Sequence, residues 1–239
     1  LQPSLGRLLG AEPQLQLSLR QLGAWSKPAF QLDLRQARNP LLGDWLAQLR
    51  WRPGLLELQQ LRAAQLQASA RLPVALQTQG GGLRTGALQL ELDLKYFPLQ
   101  RLSPLLGTRL QGYLDAWGEV RGPLKALQPD LQLVVQEPGV GPLRLLESWR
   151  GTLQGLVAGG ADLQLEALAP APLGQLKTHL DRRWYPSRAV LQRGGGSLVV
   201  QGDPRHYSWA SRAFPLAGLH LALGPSGRDQ PLQGALAGR

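Results

Sequence analysis

The chain has 239 residues, 43% of them hydrophobic and 18% charged, with a formal net charge of +10. That apolar content argues against disorder of the whole chain, and the length allows one large β domain or two small ones with a sizeable core. Cysteine is absent, which excludes a disulfide framework and any thiolate metal site. Leu supplies more than one residue in five and Gln about one in nine, while Ile and Met are missing.

In chain order, the recurring signal is alternation with a period of two, which gives a strand one apolar and one polar face. Leu15, Leu17 and Leu19 alternate with Gln16, Ser18 and Arg20. Residues 55–72 lack Gly and Pro at their centre and place Leu55, Leu58 and Leu61 at helical spacing, so a helix is an option there. Leu72, Val74 and Leu76 return to strand alternation. The clearest strand is 88–96, where Leu88, Leu90, Leu92, Leu94 and Tyr96 face one way and Gln89, Glu91, Asp93 and Lys95 the other. Residues 99–106 predict a short helix, entered at Phe97-Pro98 and stopped at Gly107. Alternation resumes at Leu131, Leu133 and Val135, then at Leu163 and Leu165, at Leu198 and Val200, and at Leu219, Leu221 and Leu223. Leu is not a favoured strand residue, but no helix places i, i+2, i+4 and i+6 on one face, so pattern outranks propensity.

Turn chemistry separates these runs at Gly80-Gly81-Gly82, Pro138-Gly139, Gly159-Gly160, Gly194-Gly195-Gly196, Gly202-Asp203-Pro204 and Pro225-Ser226-Gly227. Regular spacing with Gly-rich turns predicts an antiparallel meander rather than βαβ units. An alternating sheet must cover its apolar face. A second sheet would do so in a closed sandwich. Left open, the face would be a groove marking a ligand or partner site. Trp25, Trp45, Trp51, Trp117, Trp149, Trp184 and Trp209 are candidates for turns or sheet lips, where the indole N–H stays wet.

The positive charge asks for an acidic partner, nucleic acid or anionic lipid headgroups being the obvious ones. The arginines are spread along the chain, whereas a nucleic-acid interface concentrates them in a stripe with stacking aromatics; no nucleic-acid partner is expected. The densest cluster, Arg182-Arg183-Trp184-Tyr185, reads either as a phosphate-stacking patch or as a solvated, Trp-anchored turn. No apolar run reaches the roughly 18 residues needed to cross a bilayer. The missing initiator Met predicts a sequence that starts inside a longer protein, with any anchor outside it.

Catalytic signatures are not found. His179, His206 and His220 have no partner at metal-ligand spacing. There is no nucleophile elbow, no phosphate-binding loop motif and no dinucleotide fingerprint. Glu91 and Asp93 share a strand face with Lys95, the composition of a solvated face. The expectation is a non-enzyme with no cofactor, metal or catalytic residue.

A weak internal repeat aligns Phe97-Pro98-Leu99, Leu102 and Gly107 with Phe214-Pro215-Leu216, Leu219 and Gly224. Residues 88–136 add a cadence: an alternating strand, a short helix, Leu110-x-Gly112, Gly118-x-Val120-x-Gly122, Leu124, then Pro129-x-Leu131-x-Leu133. The cadence returns in part at 151–168 and 214–238. It resembles the TamB family of translocation and assembly module proteins, and the wider AsmA-like bridge proteins, its long cyanobacterial and plastid members most of all. The resemblance covers about 83–239 by these motifs and 1–82 only by texture. The motifs are glycines and leucines in rhythm, with no catalytic signature. The family's N-terminal membrane anchor is not in this sequence.

That resemblance implies an all-β, mainly antiparallel fold with one or two short helices, an elongated curved sheet forming a taco-like apolar groove. Residues 1–239 would be a single continuous segment of it, with repeat units at 83–150 and 198–239. It further implies a role in outer-membrane biogenesis, by conducting phospholipid acyl chains along the groove or by aiding barrel-protein insertion beside a barrel-assembly protein of the BamA or TamA type. The location would be the periplasm or an equivalent intermembrane space, with an inner-membrane anchor elsewhere in the protein. The groove floor would be Leu88, Leu90, Leu92, Leu94, Tyr96, Leu131, Leu133, Val135, Leu163 and Leu165. A closed sandwich or β-repeat structural or adhesive protein is the alternative.

Overall fold

The structure, a computed structural model, describes residues 14–24, 28–76, 83–168, 174–223 and 228–238. Trp25 and the turns at 80–82 and 225–227 lie outside these residues, as do the side chains of Leu76, Leu105, Leu106 and Leu223. Among the described residues the fold is all-β and antiparallel: 74% strand and 3% helix, with 19 strands and no helix of seven residues or more. Chain contacts divide it into two compact units, Leu1–Phe97 with Trp117–Leu127, and Pro98–Ala116 with Gln128–Arg239.

Unit 1 is a meander. Its strands are β1 (Leu15–Gln21), β2 (Phe30–Asn39), β3 (Gly43–Arg52), β4 (Gly54–Ala63), β5 (Leu66–Leu76), β6 (Leu83–Thr85) and β7 (Ala87–Pro98, of which Pro98 counts with unit 2). Each of β1 to β5 pairs with the next, and β5 then takes both β6 and β7 as partners. The helix considered over 55–72 is absent, and β4 and β5 fill that stretch. The reason is a bulge. Leu58 opposes Leu49, but Gln60 opposes Gln48, which leaves Gln59 as an extra residue on β4. A bulge advances the side-chain phase by one. Leu58 and Leu61, three apart as on a helix, therefore stand on the same face of a strand.

Unit 2 opens with the predicted short helix, a 3-10 turn at Leu99–Leu102 followed by one α-helical turn at Ser103–Leu106. Gly107 ends it in the left-handed conformation at φ 67°, and Ser103 Oγ accepts from Leu110 N at 2.9 Å. Strand β8 (Leu110–Pro123) has its first half in this unit. Then come β9 (Gln128–Val140), β10 (Leu143–Leu145), β11 (Trp149–Gly155), β12 (Ala161–Ala167), β13 (Gly174–Leu180), β14 (Pro186–Arg193), β15 (Gly196–Asp203) and β16 (His206–Pro215). The last are β17 (Leu219–Leu223), β18 (Arg228–Pro231) and β19 (Ala235–Gly238). One series of pairings runs from β9 through β11, β12, β13, β14, β15 and β16 to β19. A second leaves β9 for β10, then β17 and β18. The glycines of the 88–136 cadence have a physical basis: Gly112, Gly118 and Gly122 have φ of 99°, 137° and 109°, which disfavour a Cβ.

Three strands end alike. Arg38, Tyr96 and Ala213 have φ of 55°, 52° and 45°; each is followed by a buried residue (Asn39, Phe97, Phe214) and then by proline. Registers shift at the first and third of these sites, as expected of a bulge. A non-glycine residue at positive φ costs about 1–2 kcal/mol, while burying a Phe returns about 1.5–3 kcal/mol. Proline follows because it has no N–H to continue the ladder. This device carries the Phe-Pro-Leu repeat, and its third copy is hidden from the sequence because Asn39 replaces Phe. It also moves Tyr96: the residue is 56% exposed, off the row of Leu88 to Leu94, and Phe97, 4% exposed, takes the inward place.

Candidate functional site: the apolar sheet faces

Cross-strand registers align the apolar residues of unit 1 into rows. One runs Leu17, Leu34, Ala47, Leu61, Ala68, Leu92, and the next runs Leu19, Leu32, Leu49, Leu58, Ala70, Leu90. Phe30 and Trp51 stack in a further row, ring centroids 5.6 Å apart, beside Leu56 and Leu72. Of the expected floor residues, Leu88, Leu90, Leu92 and Leu94 are all half-buried. Ala47 and Phe97 are the buried hydrophobic residues described in this unit, and Leu17 and Leu19 are 61% and 62% exposed. The face is thus a band of partly exposed leucine rather than a sealed core.

The remaining expected floor residues gather in unit 2. Leu133, Gly151, Leu165, Leu176, Leu191 and Leu198 form one row, and Leu131, Leu153, Leu163, Thr178, Ala189 and Val200 another. Leu131, Leu133 and Leu165 are buried, Leu163 is half-buried, and Val135 is half-buried opposite Trp149. The face is tightest near β9 to β12. From β13 to β15 its leucines and valines are half-buried.

The opposite faces are polar. In unit 1, Arg20, Gln31, Arg50, Glu57, Arg71 and Gln89 form a row, and Glu57 lies 3.2 Å from Arg52 and 3.8 Å from Arg71. Glu57, Arg71 and Gln89 border a hollow of about 430 Å³ that is also lined by Glu91, Glu119 and Arg121. In unit 2, Asp162 Oδ1 lies 2.7 Å from His179 Nδ1. Lys95 pairs with Asp93 at 3.0 Å, in keeping with a solvated face. Among the described residues no group of three or more His, Asp or Glu could hold a metal, and no helix is long and apolar enough to cross a membrane. Arg182 to Tyr185 form the β13–β14 turn, where Asp181 Oδ1 accepts from the N–H of Arg183 and Tyr185 at 2.8 and 3.0 Å. Nearby, partial burial and the carboxylates of Asp181 and Asp203 hold the Tyr207 phenol above its usual range.

Beyond its leucines, each apolar face ends on buried polar groups. In unit 1, Gln36 occupies the row of Leu15, Trp45 and Ala63. Its Oε1 accepts from Asn39 Nδ2 at 3.0 Å and from Trp45 Nε1 at 2.9 Å, while Asn39 Oδ1 accepts from the N–H of Leu41 and Leu42. In unit 2 the corresponding groups are Arg193, Glu147 and Trp149, respectively 2%, 9% and 3% exposed. Nη1 of Arg193 lies 2.7 Å from Glu147 Oε1, within ion-pair reach. The approach is off the hydrogen-bond direction, so Nε, Nη1 and Nη2 donate to no described protein group. In the sequence Arg193 is one of many arginines spread along the chain, and Trp149 one Trp among seven. The alignment of Arg193 with Glu147, far away in the chain, leaves no local pattern. In comparisons with known proteins, no family model, curated protein or solved structure matches this chain.

Proposed function

We propose that this chain is a non-enzymatic segment of a TamB-like, envelope-spanning protein that conducts phospholipid by its acyl chains along an apolar β face. The observation that carries this reading is the row Leu17, Leu34, Ala47, Leu61, Ala68, Leu92, continuous over six strands and partly exposed at every position but the buried Ala47. A closed sandwich would bury such a row. Left part-exposed, it is an apolar surface in want of an occupant. An acyl chain laid on it gains about 0.8 kcal/mol per buried CH₂, and a chain of net charge +10 suits the anionic headgroups that stay in water. The setting is the periplasm or an equivalent intermembrane space, with an inner-membrane anchor in another part of the protein. A barrel-assembly protein of the BamA or TamA type is the proposed partner, and the exposed leucines of β1 support a second task, pairing with a client strand.

The test is native mass spectrometry of the gently purified chain, with solvent extraction of bound material. Phospholipid adducts that disappear in Leu92→Glu, a half-buried position where a charge disturbs packing little, are the expected result. A parent chain that takes up no added phospholipid, or a Leu92→Glu variant that carries as much as the parent, overturns the proposal.

A further inference from the structure

The apolar face of unit 2 ends on a cation. Arg193 closes β14 on the same side as Leu191, two residues earlier, and its side chain is 1% exposed. Its cross-strand neighbours are Gly174 and Gly196, so no side chain flanks it in the sheet. The residues that enclose it come from two connections instead. Glu147 lies between β10 and β11, and Gly218, at φ 83°, lies between β16 and β17, where a Cβ would overlap Nη2 of Arg193. β10 and β17 pair with each other, Leu145 opposite Leu219, so the two connections form one cover over the end of the leucine rows. Trp149 completes the enclosure: its ring tip comes within 2.8 Å of where a Cβ on Gly174 would stand.

The polar groups under this cover do not balance. A guanidinium presents five N–H donors in a planar fork that matches two oxygens of a phosphate or carboxylate. Here one carboxylate stands at ion-pair distance without accepting a hydrogen bond, and the indole N–H of Trp149 also lacks a described acceptor. The equivalent end of unit 1 is neutral, and its Trp45 N–H is taken up by Gln36. A buried, donor-rich cation beside a band of leucine matches a molecule with an acceptor-rich anionic head and an apolar tail.

We propose that Arg193 anchors the phosphate of a phosphate-bearing amphiphile whose acyl chain lies over Leu191, Leu176 and Leu198, the phosphate replacing Glu147 when the cover lifts. This rests on the acyl-chain reading of the apolar face and specifies its polar end. Leu191 is two residues from Arg193 along the strand, about 7 Å, which places the first methylenes of the tail on the first leucine row. Glu147 acts as a stand-in for the head, and the cover leaves with it.

The test uses n-decyl phosphate, n-decanol and inorganic phosphate against the 239-residue chain by titration calorimetry. Decyl phosphate should bind at least tenfold more tightly than decanol. Arg193→Gln should bring it down to the decanol level without changing decanol itself, and Glu147→Gln, which removes the competing charge, should tighten decyl phosphate several-fold. Equal binding of the two by the parent, or a preference that survives in Arg193→Gln, overturns the anchor and leaves the acyl-chain reading standing. Inorganic phosphate binding as tightly as decyl phosphate assigns the site to a free anion and also overturns it. Binding of none of the three defeats both readings. If circular dichroism shows that Arg193→Gln does not fold, Glu147→Gln decides: no gain for decyl phosphate rejects the proposal.

Discussion

The two ends at which the leucine rows stop are built from similar parts and handled in opposite ways. In unit 1, Gln36, Asn39 and Trp45 are neutral and bonded to one another. In unit 2, Arg193, Glu147 and Trp149 are all buried, yet a charge pair sits with most of its donors unanswered by protein. Buried polar groups are tolerated when satisfied, and a buried ion pair stabilises only when its remaining donors and acceptors are satisfied too. The first end therefore serves stability. The second holds charge where stability alone would place an apolar side chain.

Substitutions sharpen this contrast. The largest effect should come from Glu147→Ala, which strands the guanidinium; urea denaturation should report a loss of about 3–5 kcal/mol. Replacing the whole pair, as in Arg193→Met with Glu147→Leu, should recover most of that loss or exceed the parent's stability, because neither charge is then buried. Gln36→Ala in unit 1 removes an acceptor from the buried Asn39 amide and the half-buried Trp45 indole without uncovering a charge, and should cost about 1–3 kcal/mol. A Gln36 variant that costs more than Glu147→Ala would reverse the comparison.

A smaller effect concerns alkaline pH. The Tyr207 phenol is held above its ordinary range by partial burial and by the carboxylates of Asp181 and Asp203. An acid whose folded pKa is raised keeps its contribution below the unfolded pKa and loses it as pH rises through the folded one. The parent should therefore lose stability above about pH 10 more steeply than Tyr207→Phe, while the two should run parallel at neutral pH; melting curves across that range check it.

Much of the fold was legible because alternation survives in almost every strand. Leu88 to Leu94 and Leu131 to Leu133 keep one phase over their whole length, and the structure places them as strands with those leucines on one face. The alternation misleads where the backbone shifts the phase. The bulge at Gln59 gives β4 the leucine spacing of a helix, and the positive φ of Tyr96, 52°, hands the inward place to Phe97. The expected floor residues fell on apolar faces except Tyr96. Short runs such as Leu32–Leu34 and Leu176 in β13 passed unnoticed because two alternating residues resemble chance in a Leu-rich chain. The Arg193–Glu147 pair could not be seen at all, since its partners meet only when β10, β14 and β17 are assembled.

The central claim is that the apolar faces take up acyl chains, and tryptophan fluorescence with phospholipid brominated at mid-chain tests it most directly. Trp51 lies in an apolar row of unit 1 and Trp149 at the end of the face in unit 2. The account predicts quenching of the parent chain by the mid-chain bromines, reduced in Trp51→Phe and in Leu92→Glu. Emission left unchanged by mid-chain bromine at lipid concentrations where the chain is bound to vesicles would contradict it.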